Sequence, residues 1–232
     1  MSEGNNIFQI KLKALSPISI TKREFGVLYE TYHYIPAWTM WNSLVKLYAI
    51  KDGSIDYENA KKIFEEIRLS NFYIIEDNDI LVNLQDEKRR EYISSDLKNA
   101  IDVLTNTSLD KALYEREYIK PGRDFVGWIK PTRENVIKFL NELKGKIFFI
   151  GADKNTGFGK VRFMDIKTGN TSFLNGKNAK KVIDFIDHPK NNYHLFPVES
   201  NRDEFFPFIV REWDGDKGNG MKITYHAKAI GD

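Results

Sequence analysis

The sequence contains no cysteine and only four histidines in 232 residues. Disulfide bonds and zinc sites built on thiolates are therefore excluded. No apolar run approaches the roughly 18 residues that a membrane-spanning helix needs, and the first residues lack the cationic start and apolar stretch of a signal peptide. These absences predict a cytoplasmic protein without a membrane partner.

A strong net charge of either sign is also missing, because 33 Asp and Glu residues nearly balance 35 Lys and Arg residues and leave a formal net charge of +2. Apolar residues make up 41% of the chain and charged residues 29%, which is ordinary for a globular protein. A surface that binds nucleic acid must therefore be confined to one face or stripe of the molecule.

The basic residues that are present concentrate around one glycine-rich stretch. Six Lys or Arg side chains and only two carboxylates lie between residues 144 and 167, a local excess of four positive charges. The nonapeptide GADKNTGFG at 151–159 stands between the runs KIFFI and KVRF, a pattern that predicts a loop joining two strands. Its glycines allow positive φ angles and close approach to another molecule.

Two phosphate-binding motifs are excluded by the spacing of this stretch. A P-loop requires glycine where Lys154 stands and Ser or Thr where Val161 stands, and a dinucleotide fingerprint requires glycine at Arg162. Both motifs would also open a helix. Two interpretations stay open from the residues alone: a loop that grips an extended phosphate-rich ligand, or a hairpin loop that needs glycine only for its turns.

Hydrophobic periodicity predicts strands and helices along the first 168 residues. We expect strands at 7–15, 112–119, 124–129, 146–150 and 160–166, a helix at 38–50, a second helix capped by Asp56, and a third helix from Pro131 to Gly145. The turn signal at 120–123 predicts that the strands at 112–119 and 124–129 pair antiparallel. A short hairpin is predicted at 71–75 and 80–84. The charged run at 85–95 is interpreted as a solvated loop.

Without the segment at about 52–100, these elements form a β-α-β-β-α-β pattern. The predicted fold class is therefore α+β, with a ferredoxin-like core related to RNA-recognition modules and an inserted helix and hairpin. Such a sheet leaves one face open, where RNA commonly lies. The predicted domains are 1–168 and a C-terminal α/β extension at 169–232, with a helix near 179–186 and strands near 205–213 and 221–228.

Three motifs in order resemble the CRISPR-associated RAMP superfamily. They are LKALSPISI at 12–20 followed by YIPAWTMWNSL at 34–44, then AIDVLTNT at 100–107 followed by LYEREYIKPGRDF at 113–125, and finally KNTGFGKVRF at 154–163. The chain departs from the family at the first helix, where Ala37 replaces a glycine and Trp38 and Trp41 replace small or basic residues. The helical spacing of Trp41 predicts that it packs inside the protein.

The resemblance implies a noncatalytic RNA-binding structural subunit of a type III CRISPR effector complex. It is similar to the subunits that hold the 5′ tag of the guide or form the backbone of the filament. The implied partners are CRISPR guide RNA, other RAMP subunits, a polymerase-like large subunit and target RNA, with no cofactor and no metal. The residues expected to contact RNA are Gly151, Lys154, Asn155, Thr156, Gly157, Phe158, Gly159, Lys160, Arg162, Pro36, Trp38, Thr39, Lys22, Arg23, Lys120 and Arg123.

Two enzymatic alternatives stay open. Guide-processing members of the superfamily use a histidine near the first helix, and His33 is the candidate in that position, where it could act as a base on a ribose 2′-hydroxyl. Members that cut target RNA use an acidic residue and a divalent metal in the loop after the first strand. The corresponding segment here contains Glu24 and Glu30 but no aspartate.

Overall fold

The computed structural model describes residues 7–51, 53, 55–77, 79–81, 84, 86–101, 108–168, 193–197 and 208–212. Its elements are β1 (Phe8–Ala14), β2 (Thr21–Phe25), β3 (Leu28–Thr31), α1 (Ala37–Ile50), α2 (Tyr57–Phe64), β4 (Arg68–Leu69), β5 (Tyr73–Glu76), β6 (Asp79–Leu81), α3 (Asp86–Tyr92), β7 (Ile93–Ile101), β8 (Ser108–Ile119), β9 (Asp124–Lys130), α4 (Glu134–Glu142), β10 (Ile147–Phe149), β11 (Lys160–Thr168), β12 (Tyr193–Pro197) and β13 (Phe208–Glu212). The predicted α+β class is confirmed.

The main sheet has seven strands in the order β10-β11-β1-β9-β5-β6, and β4 pairs with the end of β9. Strand β1 lies in the middle and pairs antiparallel with β11 on one side and β9 on the other. In this register Lys13 lies opposite both Arg162 and Asp124. The C-terminal end of β1 therefore lies beside the start of β11, where the glycine-rich stretch ends.

Helices α1 and α4 cover one face of this sheet. Alternation along β1 places Ile10 and Leu12 in the same buried cluster as Leu44 of α1 and Phe139 of α4. The opposite face carries a smaller buried cluster at the β9–β5 end, centred on Trp128. Toward β11 and β10 that face is exposed.

A second sheet of four strands has the order β2-β3-β8-β7. We predicted that the strand at 112–119 pairs with the strand at 124–129, and this was wrong. Both edges of β9 are occupied, by β1 on one side and by β5 and β4 on the other. Strand β8 instead pairs with β7 and β3. The predicted hairpin is present as β5 and β6, and it belongs to the main sheet.

Residues 86–95 of the charged run form helix α3 and the start of β7, so the predicted solvated loop was wrong. Tyr92, the last residue of α3, is 1% exposed, and its hydroxyl donates to Glu76. Burial, together with the bond to Glu76, raises the pKa of Tyr92 to about 12. These tertiary contacts stabilise a helix whose polar sequence gives no periodic signal.

Beyond residue 168, the described residues form the antiparallel pair of β12 and β13. Strand β13 overlaps the predicted strand at 205–213, whereas the predicted helix near 179–186 and strand near 221–228 lie outside the described residues.

The predicted cap of α2 is present, because Asp56 accepts a hydrogen bond from the Asn59 amide at 3.0 Å. No helix within the described ranges is long and apolar enough to cross a membrane.

Candidate nucleic-acid interface

The glycine-rich loop at 151–159 makes a tight path between β10 and β11. Four of its residues have positive φ angles, namely Gly151, Asp153, Gly157 and Gly159 at 74°, 54°, 91° and 78°. A short 3-10 turn at Lys154–Thr156 forms its tip. A Cβ atom on Gly159 would lie 1.9 Å from the Ile150 carbonyl oxygen, so this position requires glycine.

The loop is hydrogen-bonded to the segment at 15–20, which directly follows β1. The Gly159 amide donates to the Pro17 carbonyl at 2.7 Å, and the Ala152 amide donates to the Ser19 carbonyl at 2.8 Å. The other edge of this segment meets β8, where Ile18 and Ile119 exchange two backbone hydrogen bonds of 3.0 and 2.7 Å. The segment therefore joins the loop to the second sheet.

Side chains of the second sheet also anchor the loop. The Asp153 carboxylate lies 3.1 Å from Lys98 Nζ on β7 and 3.2 Å from Arg116 Nε on β8. Phe158 is 8% exposed, and its ring packs edge-on against Tyr118 with 5.5 Å between centroids. The Lys98 ammonium stands 3.9 Å from the centre of the Phe158 ring. Opposite charges and aromatic packing thus fix both sides of the loop tip.

An open cleft of about 400 Å³ separates the loop from the first turns of α1. Its lining includes Trp38, Thr39, Lys46, Gly151 and Lys154. The structure therefore brings together two regions that the sequence placed more than a hundred positions apart, the helix start at 36–39 and the glycine-rich loop. This cleft is the candidate site.

Two lysines give the cleft its charge. Burial and then the positive charge of Lys46 lower the pKa of Lys154 below the usual lysine value. Within the described part of the chain, neither side chain forms an ion pair with a carboxylate. Two cations that repel each other across an open cleft are suited to hold an anion between them. Lys46 was absent from the predicted site because it lies about two turns of helix beyond the predicted contacts at 36–39.

The helix start contributes side chains more than free amides. The Ala37 amide donates to Asn71 Oδ1 at 2.8 Å, and the Thr39 amide donates to the Pro36 carbonyl at 3.0 Å. Pro36 is buried, whereas Trp38 is half-buried and packs edge-on against Tyr32. The indole of Trp41 donates to the Phe64 carbonyl at 2.9 Å, which agrees with the predicted packing role.

At the loop tip, Asn155, Thr156 and Gly157 are exposed. The Thr156 hydroxyl donates to the Asp153 carbonyl at 3.0 Å. Lys160 and Arg162 lie on a different surface from Lys154, because alternation along β11 places them on the sheet face opposite the helices. The basic residues of the glycine-rich stretch are thus divided between two surfaces.

Lys22 and Arg23 are engaged elsewhere, on β2. Both contact Glu30 on the neighbouring strand, Lys22 at 3.6 Å and Arg23 through a hydrogen bond from its Nε. Burial opposes ionisation of Glu30, but the hydrogen bond from Arg23 and the charges of Lys22, Arg23 and Arg89 outweigh it and lower the pKa of this carboxyl group. Glu30 therefore partly neutralises the positive charges of Lys22 and Arg23, two of the predicted RNA contacts.

Lys120 and Arg123 contact the end of α3. Lys120 Nζ donates to the Arg90 carbonyl at 2.8 Å, and Arg123 Nη2 donates to the Glu91 carbonyl at 2.9 Å. The Arg123 guanidinium also lies 4.7 Å from the centre of the Tyr92 ring. Cations at a helix C-terminus satisfy orphan carbonyls and favour the helix dipole.

His33, the candidate general base, is 2% exposed and packs edge-on against Tyr34 with 5.0 Å between ring centroids. A base acting on a ribose needs access to its substrate. This placement favours a packing role. Among the described residues, no group of three or more Asp, Glu or His side chains is arranged to hold a metal ion.

The family model of the RAMP superfamily matches residues 11–162. No curated protein sequence is similar enough to match the chain. A chain of the type III-B Cmr-β complex bound to cognate target RNA superposes with a TM-score of 0.49 and 16% identity, over 70% of this chain and 60% of that chain. A chain of the apo Cmr-β complex superposes with a TM-score of 0.47 and 10% identity, over 70% of this chain and 96% of that chain.

Proposed function

Because this chain belongs to the CRISPR-associated RAMP superfamily, we propose that it is a noncatalytic RNA-binding structural subunit of a type III CRISPR effector complex. The observation that carries this proposal is the cleft where Lys46 and Lys154 face each other between α1 and the glycine-rich loop. Phosphates of the guide RNA bind in this cleft, where the two ammonium groups supply affinity without reading sequence. A bound phosphate relieves the repulsion between the lysines.

We propose a ferredoxin-like core on the basis of the strand order in the main sheet. Strands β11, β1, β9 and β5 lie in that order and alternate in direction. This is the arrangement expected of a ferredoxin-like core in which β5 is the second strand and α1 and α4 are the two helices. The glycine-rich loop then precedes the last core strand.

Family membership also supports the proposed partners. We place the chain beside other RAMP subunits and a polymerase-like large subunit, with guide RNA held either at its 5′ tag or along the filament backbone, and with target RNA nearby. The chain contributes binding and no cleavage step. Purified protein incubated with repeat RNA in EDTA or in magnesium is expected to leave the RNA intact; specific cleavage lost in His33→Ala would contradict this.

A charge-matched pair of double variants tests the cleft. Lys46→Ala with Lys154→Ala removes both cleft cations, and Lys62→Ala with Lys138→Ala removes two exposed lysines from α2 and α4. Affinity for single-stranded guide RNA is measured by fluorescence anisotropy over a range of salt concentrations. We expect the cleft variant to lose affinity and its log–log salt slope to fall by roughly 0.7 per lost phosphate contact.

The control variant is expected to bind nearly as the wild type does, because its lysines lie outside the cleft. An equal loss in both variants would show only a general charge effect. Unchanged affinity and slope in the cleft variant would overturn the proposed function of this site.

A further inference from the structure

One exposed surface of the main sheet combines basic and apolar side chains and lies outside the cleft. The register places Lys13, Arg162 and Ile147 in one row across β1, β11 and β10, and places Lys160 beside Phe149 in the next row. All point away from the helices, since Leu12, Val161 and Phe148 between them are buried in the helix-facing core. We call this set, together with Met164, the open-face patch.

The charge of the open-face patch is positive. Lys13, Lys160 and Arg162 form no ion pair within the described ranges. The nearest carboxylates along these strands are paired with other lysines, Asp124 with Lys11 at 2.9 Å and Asp165 with Lys144 at 3.1 Å. Three cations without local compensation favour a polyanion over an uncharged partner.

The apolar part of the patch is exposed to solvent. Ile147, Phe149 and Met164 are 42%, 45% and 39% exposed. Phe149 is the aromatic residue among them, and it is the cross-strand partner of Lys160. An exposed ring next to free cations is the combination that binds single-stranded nucleic acid, because the ring stacks on a base while the cations contact phosphates.

We propose that the open-face patch is a second RNA site, at which a nucleobase of single-stranded RNA stacks on Phe149 and the adjoining phosphates contact Lys13, Lys160 and Arg162. This inference rests on the proposed RNA-binding function and extends it to a separate surface. Lys160 directly follows Gly159, so the patch begins where the glycine-rich loop ends. One RNA strand passes from the cleft, around the loop, onto the sheet.

The test compares Phe149→Leu with Phe25→Leu. Both remove an exposed ring and keep an apolar side chain, and Phe25 is 53% exposed on the second sheet. The probe is an oligouridine of roughly twelve nucleotides, within the range of known single-strand sites, that carries one 2-aminopurine. Stacking on an aromatic ring quenches the fluorescence of this base.

We expect Phe149→Leu to weaken binding about fivefold or more and to reduce the quenching, with an unchanged salt slope. Phe25→Leu leaves affinity and quenching unchanged. The double variant Lys13→Gln with Arg162→Gln keeps the ring and lowers the salt slope by roughly 0.7 per lost phosphate contact. This double variant also tests the patch if the leucine variant proves unfolded by circular dichroism.

The cleft variant of Lys46 and Lys154 is measured with the same probe, so that the two sites are judged separately. If the cleft variant binds the probe normally and Phe149→Leu binds it weakly, the cleft is overturned as an RNA site and the open-face patch is supported. A defective cleft variant with normal Phe149→Leu and normal Lys13/Arg162 variants would overturn the patch alone. Loss of association with another protein subunit, with RNA binding intact, would likewise overturn it and assign the surface to a protein partner.

Discussion

Gly159 is the described glycine at which a Cβ atom would clash most closely with the chain's own backbone. Its φ of 78° and the 1.9 Å that would separate such a Cβ atom from the Ile150 carbonyl oxygen act together. We expect Gly159→Ala to lower the free energy of unfolding by more than about 3 kcal/mol, because the clash adds to the cost of a strained φ. Urea denaturation measures this change.

Gly157→Ala is the matched control for that substitution. Gly157 has a φ of 91°, but a Cβ atom at this position would meet nothing within 4 Å, so only the backbone cost of about 1–2 kcal/mol applies. Equal destabilisation by the two substitutions would show that the contact with Ile150 is unimportant.

Lys46 is expected to reduce stability while supporting RNA binding. Replacing it with Gln removes the charge that faces Lys154, so the free energy of unfolding at neutral pH should rise, within about 0.5 kcal/mol, while RNA affinity falls. The pH dependence follows from the lowered pKa of Lys154. Above that pKa the folded state has released a proton that the unfolded state still binds, so wild-type stability rises with alkaline pH.

In Lys46→Gln this rise should shift to higher pH, because one cause of the lowered pKa is gone. Urea denaturation at a series of alkaline pH values measures the shift. The same profile in both proteins would mean that the two lysines do not interact.

At the scale of elements, the loop depends on the second sheet through Asp153. We expect Asp153→Asn to lower the free energy of unfolding by about 1–2 kcal/mol, between the values for exposed and buried ion pairs, because Lys98 and Arg116 lose their shared carboxylate. Asparagine tolerates the left-handed backbone of this position, so the effect reports the charge.

Asp96→Asn on β7 is the control, since Asp96 is exposed and accepts only a 3.3 Å hydrogen bond from Tyr118. Denaturation of both variants is accompanied by hydrogen exchange of the loop amides. Faster exchange confined to Asp153→Asn is expected. Equal behaviour of the two variants would argue against the proposed anchoring.

Sequence reasoning located most elements because their hydrophobic periodicity is strong. The amphipathic pattern of α1 and the alternation of β1 are local signals, and both elements were predicted within a residue or two. The pairing of β8 was not predictable in the same way. The choice between β5 and β8 as neighbours of β9 depends on contacts such as the bridge between Ile18 and Ile119, which no local pattern reveals.

The candidate site was likewise predicted in part from the sequence and missed in part. The loop and the start of α1 were predicted from glycine spacing and motif resemblance, and the structure places both on one cleft. Lys46 and Asn71 were missed because their roles arise from folding. The separation of Lys154 from Lys160 and Arg162 follows from strand alternation, which the sequence does contain once the start of β11 is known.

At the scale of the whole molecule, the described core is built from residues 8–166. We therefore expect a chain ended after Thr168 to fold, to unfold cooperatively on heating and to retain the cleft, because every residue of the main buried cluster remains. Circular dichroism and RNA anisotropy of the shortened chain measure this. A molten or aggregated product would show that the predicted boundary between 1–168 and the extension at 169–232 is wrong.

The segment at 15–20 has a consequence for protein engineering. It supplies carbonyls to the loop along one edge and pairs with β8 along the other. The glycine-rich loop is therefore not a portable module. A transplant into another scaffold would need to carry this segment and its partner strand. The hydrogen bonds that hold the loop in its conformation come from backbone outside the loop's own sequence.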